Sequence, residues 1–482
     1  MSDSNASSVS GQGTASSAAS GAGVLKRSML AAVFLKLTGG WGARLGLFWV
    51  ALMVLVAVWA PVLASSHPFV WKYDGEVSSP WLEHLSPMDV TLFVAFFTGL
   101  VMIAIRLFNR RARDMAGRVW FLAWLWLGAG AGLCTHVWYL KRSLEQQIDA
   151  GTGLVFGVQA GLAVLLLLAV LIGLPVLVKA AFRWKVGVGL VGAVLFATLL
   201  WIHILPPETV VYAKYREAQA AGEVEWSVSA PLPYSANDAQ RDSLVLTGQD
   251  VRFLPPSLKH PMGTTEAGMD LLSRMLHATR IALAIGVIAT GISLAIGIAI
   301  GAWMGYAAGW VDLIGMRLVE IFAAIPVLFL LIMIVAFYGR SLALMMVVIG
   351  LTGWVGYALF VRAEFLRLRG MDYVMAARAV GVSVPGILFR HMLPNGVTPV
   401  LVLASFGVGS AILYEAVLSF LGLGLVDEPS WGQLLQEARR PGHHIGQVLF
   451  PGMAIFLTVF AYNLIGEALR DALDPKSIER SS

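Results

Sequence analysis

Long apolar runs decide what this chain can be. Leu45–Ala64, Val90–Leu107, Val119–Leu140, Leu154–Val178, Val186–Leu205, Ile281–Tyr306, Val319–Phe337, Leu342–Val361, Val397–Leu421 and Val448–Ile465 are predominantly apolar. Each is near the roughly 20 residues that a helix needs to cross a bilayer. Backbone groups in hydrocarbon must satisfy one another, so the runs are read as about ten helices of an all-α polytopic membrane protein. Composition agrees: 58% of the 482 residues are apolar and 13% charged, against about 25% charged in soluble domains. Too few charges remain to cover the apolar surface in water. That excludes an ordinary soluble enzyme, a nucleic-acid-binding domain and a disordered scaffold. The single cysteine, Cys134, excludes an intrachain disulfide and a Cys-based zinc or iron–sulfur site.

The net charge of +5 is a matter of topology, because Lys and Arg accumulate in cytoplasmic loops. Lys26, Arg27, Lys36 and Arg44 precede the first run and place the N-terminus inside. Arg106, Arg110, Arg111, Arg113 and Arg118 mark the next cytoplasmic link, and Lys179, Arg183 and Lys185 another. The intervening link carries Lys141, Arg142, Glu145 and Asp149, a balanced set expected outside. Arg362, Arg367, Arg369, Arg378 and Arg390 make the link before Val397 strongly cytoplasmic, and Arg470, Lys476 and Arg480 keep the C-terminus there. Residues 1–24, rich in Ser, Ala and Gly, read as a disordered tail. A cleaved signal peptide is not expected, since the first apolar run begins too late and extends too far. The polar stretch from Pro206 to about Met275 is expected outside and is long enough for a small structured element. Gly291, Gly297, Gly301 and Gly305 recur at about one-turn spacing, which suits close helix packing in lipid.

Met371–Pro399 is cytoplasmic by charge but is not composed like a solvated loop. Tyr373, Val374, Ala377, Ala379, Val380 and Val382 predict a short apolar-faced helix interrupted at Gly381. Pro385 stands where a second short helix would start, since its missing N–H costs nothing at that position. Ile387, Leu388, Met392 and Leu393 then lead to Pro394. Two readings fit: a knob that docks a partner protein, or an amphipathic linker on the membrane surface.

Ala376-Ala377, Gly381 and Leu393-Pro394 match the spacing of the EAA loop of ABC-importer permeases. The longer set Tyr373, Ala376, Ala377, Arg378, Gly381, Arg390, His391, Leu393, Pro394 and Asn395 resembles the oligopeptide/dipeptide branch, with Met375 where Glu is usual. His260–Thr264, Gly268–Arg274, Gly305-Tyr306, Gly309–Asp312, Arg317–Glu320, Ser419–Gly424, Ser430–Gly432 and Leu469–Pro475 resemble further stretches of the same branch. Thr265, Glu266 and Met269 depart from it, standing where Asp, Asp and Arg are usual. Pro68–Glu76 and Val361–Arg367 look closest to Yej-type peptide permeases.

The resemblance implies a bacterial inner-membrane subunit with a MetI-like, type I core of six helices. Tyr373, Ala376, Ala377, Arg378, Gly381, Arg390, His391, Leu393 and Pro394 would then couple it to an ATPase. The implied partners are a second permease, two ATPase subunits that bind the ATP and Mg, and a periplasmic substrate-binding protein. The implied division is 25–88 for the first span and the start of the external loop, 89–206 for a four-span insert, and 207–277 for a periplasmic segment. Residues 278–475 would form five further core spans with the coupling loop at 362–396, and 476–482 a C-terminal tail. An even number of inserted spans preserves topology. The insert is read as peripheral helices, with a clamp for an accessory subunit or lipid as the alternative.

No lysine comes directly after a glycine anywhere in the chain, so the phosphate-cradling G-x-x-x-x-G-K-[ST] is absent. The chain is therefore expected to be neither an enzyme nor the carrier of a cofactor or metal. Glu415, inside an apolar run, is a candidate proton or amine site, or else a carboxylate hydrogen-bonded within the bundle. Glu320 is expected to pair with Arg317 across one helical turn. His136 and His203 lie near helix ends, and His443-His444 falls short of the three or four ligands a zinc site needs. Two alternatives stay open: an ion-coupled secondary transporter using Glu415 and Glu320, and a membrane assembly protein that moves no solute.

Overall fold

The computed structural model describes residues 39–108, 121–133, 212–396, 398–425 and 428–473. The expected N-terminal tail, the runs Leu154–Val178 and Val186–Leu205, the end of Val119–Leu140, and His136 and His203 lie outside the described residues. The longer helices are α1 (Trp41–Leu63), α2 (Pro87–Phe108), α3 (Phe121–Leu133), α4 (Ala213–Ala220), α5 (Leu271–Ala307), α6 (Gly309–Ala323) and α7 (Val327–Tyr338). They continue with α8 (Leu342–Leu368), α9 (Asp372–Ala379), α10 (Thr398–Leu418), α11 (Trp431–Glu437) and α12 (Ile445–Leu473). Six of the described helices are long and apolar enough to cross a membrane, and α6 with α7 makes a seventh if the bent pair is one span.

That bent pair corrects the sequence reading of Val319–Phe337 as one straight run. The axis turns by 71° between Ala323 and Val327. The cause is Pro326, which lacks the N–H a continuing helix needs and pushes Ile325 away from helical torsions. Pro326 has extended torsions, and its carbonyl accepts from Leu330 N at 3.1 Å to start α7. Elsewhere the observed helices exceed the apolar runs. α5 begins ten residues before Ile281, and α8 continues through Arg362 and Arg367 to Leu368.

The described residues separate into two compact units. The first holds residues up to Val54, Ile281–Arg439 and Val448 onward. Its centre is the parallel crossing of α5 and α8. A Cβ placed on Gly297 would lie 2.5 Å from Tyr357 Cβ, one on Gly301 2.4 Å from the Ala358 carbonyl, and one on Gly305 2.6 Å from the Arg362 carbonyl. Ser293 Oγ extends the seam by donating to the Gly350 carbonyl at 2.9 Å. The glycine stripe is thus a packing surface, as its spacing suggests, except that Gly291 faces nothing within 4 Å. On another side, a Cβ on Gly46 would lie 2.7 Å from the Ala461 carbonyl, and Trp49 Nε1 donates to Thr458 Oγ1 at 3.1 Å, so α1 packs on α12.

The second unit holds Leu55–Arg280 and Arg440–Gln447. Three short strands, β1 (Val70–Tyr73), β2 (Glu76–Ser78) and β3 (Val224–Val228), form an antiparallel sheet in the order β2-β1-β3. Asp74 and Gly75, with φ of 51° and 77°, make the two-residue turn between β1 and β2, the Asp-Gly hairpin signal. Lys72 of β1 pairs with Trp226 of β3, so the chain that leaves after β2 into the expected insert returns to the same sheet. Trp71, Tyr215 and Ala218 form the core against this sheet. The α2 helix starts with a capping box, in which Asp89 N donates to Ser86 Oγ and Ser86 N to Asp89 Oδ2. Next to α2, Trp124 Nε1 of α3 donates to the Ala95 carbonyl at 2.6 Å.

Candidate functional site

The loop singled out by sequence folds as two short helical pieces. Helix α9 carries Asp372 in its first turn and Arg378 in its last, each suited to the helix dipole. It ends in a Schellman motif: Gly381 N donates to the Arg378 carbonyl at 3.0 Å and Val382 N to the Ala377 carbonyl at 3.1 Å. That closure requires a left-handed residue, and Gly381 has φ of 81°. The second piece starts at Val384–Gly386 with Pro385 in its first turn and becomes a π-helix over Ile387–Met392. Leu393 N reaches back to the Leu388 carbonyl. Pro394, the next residue, has no N–H to give, and the wider turn absorbs the interruption.

One face of this loop is internal. Val374, Ala377, Ile387, Leu388 and Met392 are buried with Val361, Phe365 and Leu368 of α8 in one apolar cluster. Ala377 therefore packs inward, while the small residues Ala376, Ala379 and Gly381 are exposed. Tyr373, Arg378, Arg390 and Pro394 are exposed, whereas His391 and Leu393 are half-buried. The exposed face also includes Met375, Val380 and Phe389, the last two 84% and 68% exposed. Sequence reasoning missed Phe389, although its place between the buried Leu388 and the charged Arg390 could have marked it. A two-helix loop, anchored by one face and presenting apolar and basic side chains on the other, can receive a partner protein without refolding.

The family described as binding-protein-dependent transport system inner membrane component matches residues 297–479. A glutathione transport system permease protein, GsiD of Pectobacterium atrosepticum, is 41% identical over 225 residues, which are 46% of this chain and 74% of that protein. A dipeptide transport system permease protein, DppC of Alkalihalophilus pseudofirmus, is 37% identical over 252 residues, 52% of this chain and 81% of that protein. The chain belongs to this permease family. It is the permease subunit of an ABC importer, a multi-pass inner-membrane protein whose partners include a separate ATPase and a binding protein. Among solved structures, an inward-facing MetNI methionine ABC transporter aligns with a TM-score of 0.34 and 20% identity, over 42% of this chain and 98% of that one.

The permease's other candidates fall elsewhere. Glu415 is 2% exposed on α10, and its carboxylate accepts from Ser419 Oγ at 2.6 Å and from the Ser430 hydroxyl. Ser430 also caps α11 by accepting from Gln433 N. Glu415 thus ties α10 to α11, the hydrogen-bonded alternative raised from sequence. Glu320 pairs with Arg317 at 2.5 Å, and both are exposed. His444 bonds the Phe253 carbonyl and His443 Nδ1 contacts the Arg440 carbonyl at 3.0 Å. No group of His, Cys, Asp or Glu suited to a metal occurs among the described residues.

The expected coupling loop 362–396 is shorter than read, because its first residues are helical. Arg362 of α8 instead grips Asp312 of α6 with both nitrogens of its fork, Nη2 to Oδ2 at 2.6 Å. Arg367 pairs with Glu364 at 2.5 Å. Sequence reasoning had counted both arginines as loop charges and within the Val361–Arg367 resemblance, with no partner for either.

Proposed function

We propose that this permease imports peptides, and that it forms half of the path with a second permease above two ATPase subunits. The observation that carries the reading is the loop at 371–396, anchored by buried Val374 and Ala377 and presenting Tyr373, Met375, Val380 and Phe389 outward. In this reading Tyr373, Ala376, Arg378, Gly381, Arg390, His391, Leu393 and Pro394 belong to the ATPase-docking segment, and Ala377 holds it from behind. Both termini lie in the cytoplasm, and the sheet-bearing unit faces the binding protein. The similarity to glutathione and dipeptide permeases favours a small peptide as cargo. The stretches Pro68–Glu76 and Val361–Arg367 favour the Yej-type group within that branch. Residues 89–206 are an insert in the external loop.

The mechanism rests on the anchoring. ATP-driven closure of the ATPases displaces α9 and the π-turn after it, and their shared cluster with α8 carries the displacement into the membrane helices. The path alternates between states that open to either side. Co-purification of the complex, followed by ATPase and uptake assays, tests this. Vanadate-sensitive hydrolysis stimulated by a binding protein and coupled to dipeptide uptake is expected. Uptake driven by a proton gradient without ATP would overturn it.

A further inference from the structure

We propose that Arg378 and Tyr306 form a relay that passes movement of α9 to the elbow between α5 and α6. The inference rests on α9 being the ATPase-docking helix and assigns Arg378 an inward role in place of a contact with the ATPase. The Arg378 guanidinium carbon lies 5.2 Å from the centre of the Tyr306 ring, the distance of a cation–π contact. Tyr306 is in the last turn of α5 and packs against the cluster that buries Val374 and Ala377. The ring therefore touches α9 both through its face and through that cluster.

The backbone immediately after Tyr306 makes the contact consequential. Ala308 has φ of 51° and ψ of −162°, and Gly309 has φ of 58°. For alanine that is a sparsely populated conformation, kept only where the surroundings impose it. The surroundings do so. Gly305 lies against the backbone of α8 at Arg362, and Arg362 holds Asp312 in the first turn of α6. The elbow is thus fixed on the α8 side through Gly305 and Asp312, and on the α9 side through Tyr306. Beyond it, α6 runs to the 71° break before α7. A displacement of Arg378 acts on a link of one strained residue, Ala308, between the close-packed α5 and a broken span.

Arg378 and Tyr306 are positioning residues in this scheme, and two measurements test it. The first uses the full complex in proteoliposomes, with dialanine and glutathione as probes, and reads solute moved per ATP hydrolysed. Arg378→Ala and Tyr306→Leu should each lower that ratio about fivefold, with the double variant no worse, whereas Tyr306→Phe, which keeps the ring, should restore it. The second uses the full-length permease alone in detergent and reads amide exchange across residues 372–382. There the two single substitutions should be non-additive, whatever the complex transports. Additive exchange effects would overturn the relay. So would loss of ATPase co-purification in Arg378→Ala with Tyr306→Leu unaffected, because Arg378 would then face the ATPase. Failure of the wild-type complex to move either probe would count against the peptide reading, leaving the exchange measurement to decide the relay.

Discussion

Asp89 of α2 and Arg280 of α5 form an ion pair in which the side chains are only 8% and 7% exposed. Asp89 also closes the capping box of α2 through Ser86, so one carboxylate both starts that helix and holds it to α5. Breaking a buried pair from one side leaves an uncompensated charge and costs about 3–5 kcal/mol. Asp89→Asn and Arg280→Met should each lower the melting temperature of the permease in detergent. The double variant Asp89→Asn/Arg280→Met should lose less than the sum, since no lone charge remains. A double-mutant cycle on thermal stability checks this, and strict additivity would show the pair to be energetically idle. Helix α2 is therefore held to α5 by a buried ion pair.

The α5–α8 seam makes a paired prediction. Gly301→Val would force a Cβ to within 2.4 Å of the Ala358 carbonyl and into Val361, backbone that cannot yield cheaply. A loss of about 3 kcal/mol or more is expected, seen as poor recovery of folded protein in detergent. Gly291→Ala on the same helix meets nothing within 4 Å and should stabilise by about 0.5 kcal/mol through helix propensity. Opposite outcomes at two glycines of one stripe separate packing from composition.

That contrast also shows what the chain's letters disclose. Spans were legible because a membrane demands about 20 apolar residues in a row. Close packing at Gly297, Gly301 and Gly305 was legible from one-turn spacing. Which glycines meet a neighbour depends on the crossing of α8, so Gly291 was misread with the others. Pro326 was visible, yet the apolar run around it hid the break. Arg362 and Arg367 were read as loop charges because charge counting ignores the helix that carries them. The two-piece loop at 371–396 was legible in outline from Gly381, Pro385 and Pro394, each of which marks a turn or a break in the backbone. That Ala377 packs inward while Ala376 beside it is exposed was not legible, because a small residue gives no sign of its face. Asp89–Arg280 and Tyr306–Arg378 join segments far apart in sequence, and no local pattern announces them.

Acid should weaken the sheet-bearing unit through one histidine. His67 stacks on His84 with ring centroids 3.6 Å apart and is enclosed by Tyr212 and Tyr215. Burial first, and the neighbouring His84 second, push its imidazole from the ordinary 6.5 down to about 3. His84 is also lowered, chiefly by burial, with Glu83 opposing and Lys214 adding to the effect. A folded pKa below the unfolded one means that the unfolded chain takes up the proton first. The contribution of His67 is therefore constant above pH 6.5 and is lost as pH falls from 6.5 toward 3, by about 2 kcal/mol at pH 5. Amide protection across residues 65–84 and 212–228, corrected for intrinsic exchange, should fall over that window. His67→Phe should flatten the dependence, and an unchanged slope would remove His67 as its origin.

Gly381 offers the sharpest test of the docking loop, because its side chain position is open and only its torsion is demanding. A Cβ there meets nothing within 4 Å, yet φ is 81°. The Cβ of Gly381→Val falls in open space, so the cost expected there is the left-handed conformation, about 1–2 kcal/mol. The chain can escape that cost by opening the Schellman closure, which releases Val382 from the Ala377 carbonyl and reorients Val380 and Pro385 on the exposed side. Membrane insertion and overall thermal stability should then change little, while ATPase co-purification and uptake fall at least about tenfold. Gly381→Asn, a residue that tolerates the left-handed region, should retain most of both. If Asn and Val proved equally damaging, the requirement would be for bare surface at the ATPase contact. If both were harmless, the loop would not be the docking element.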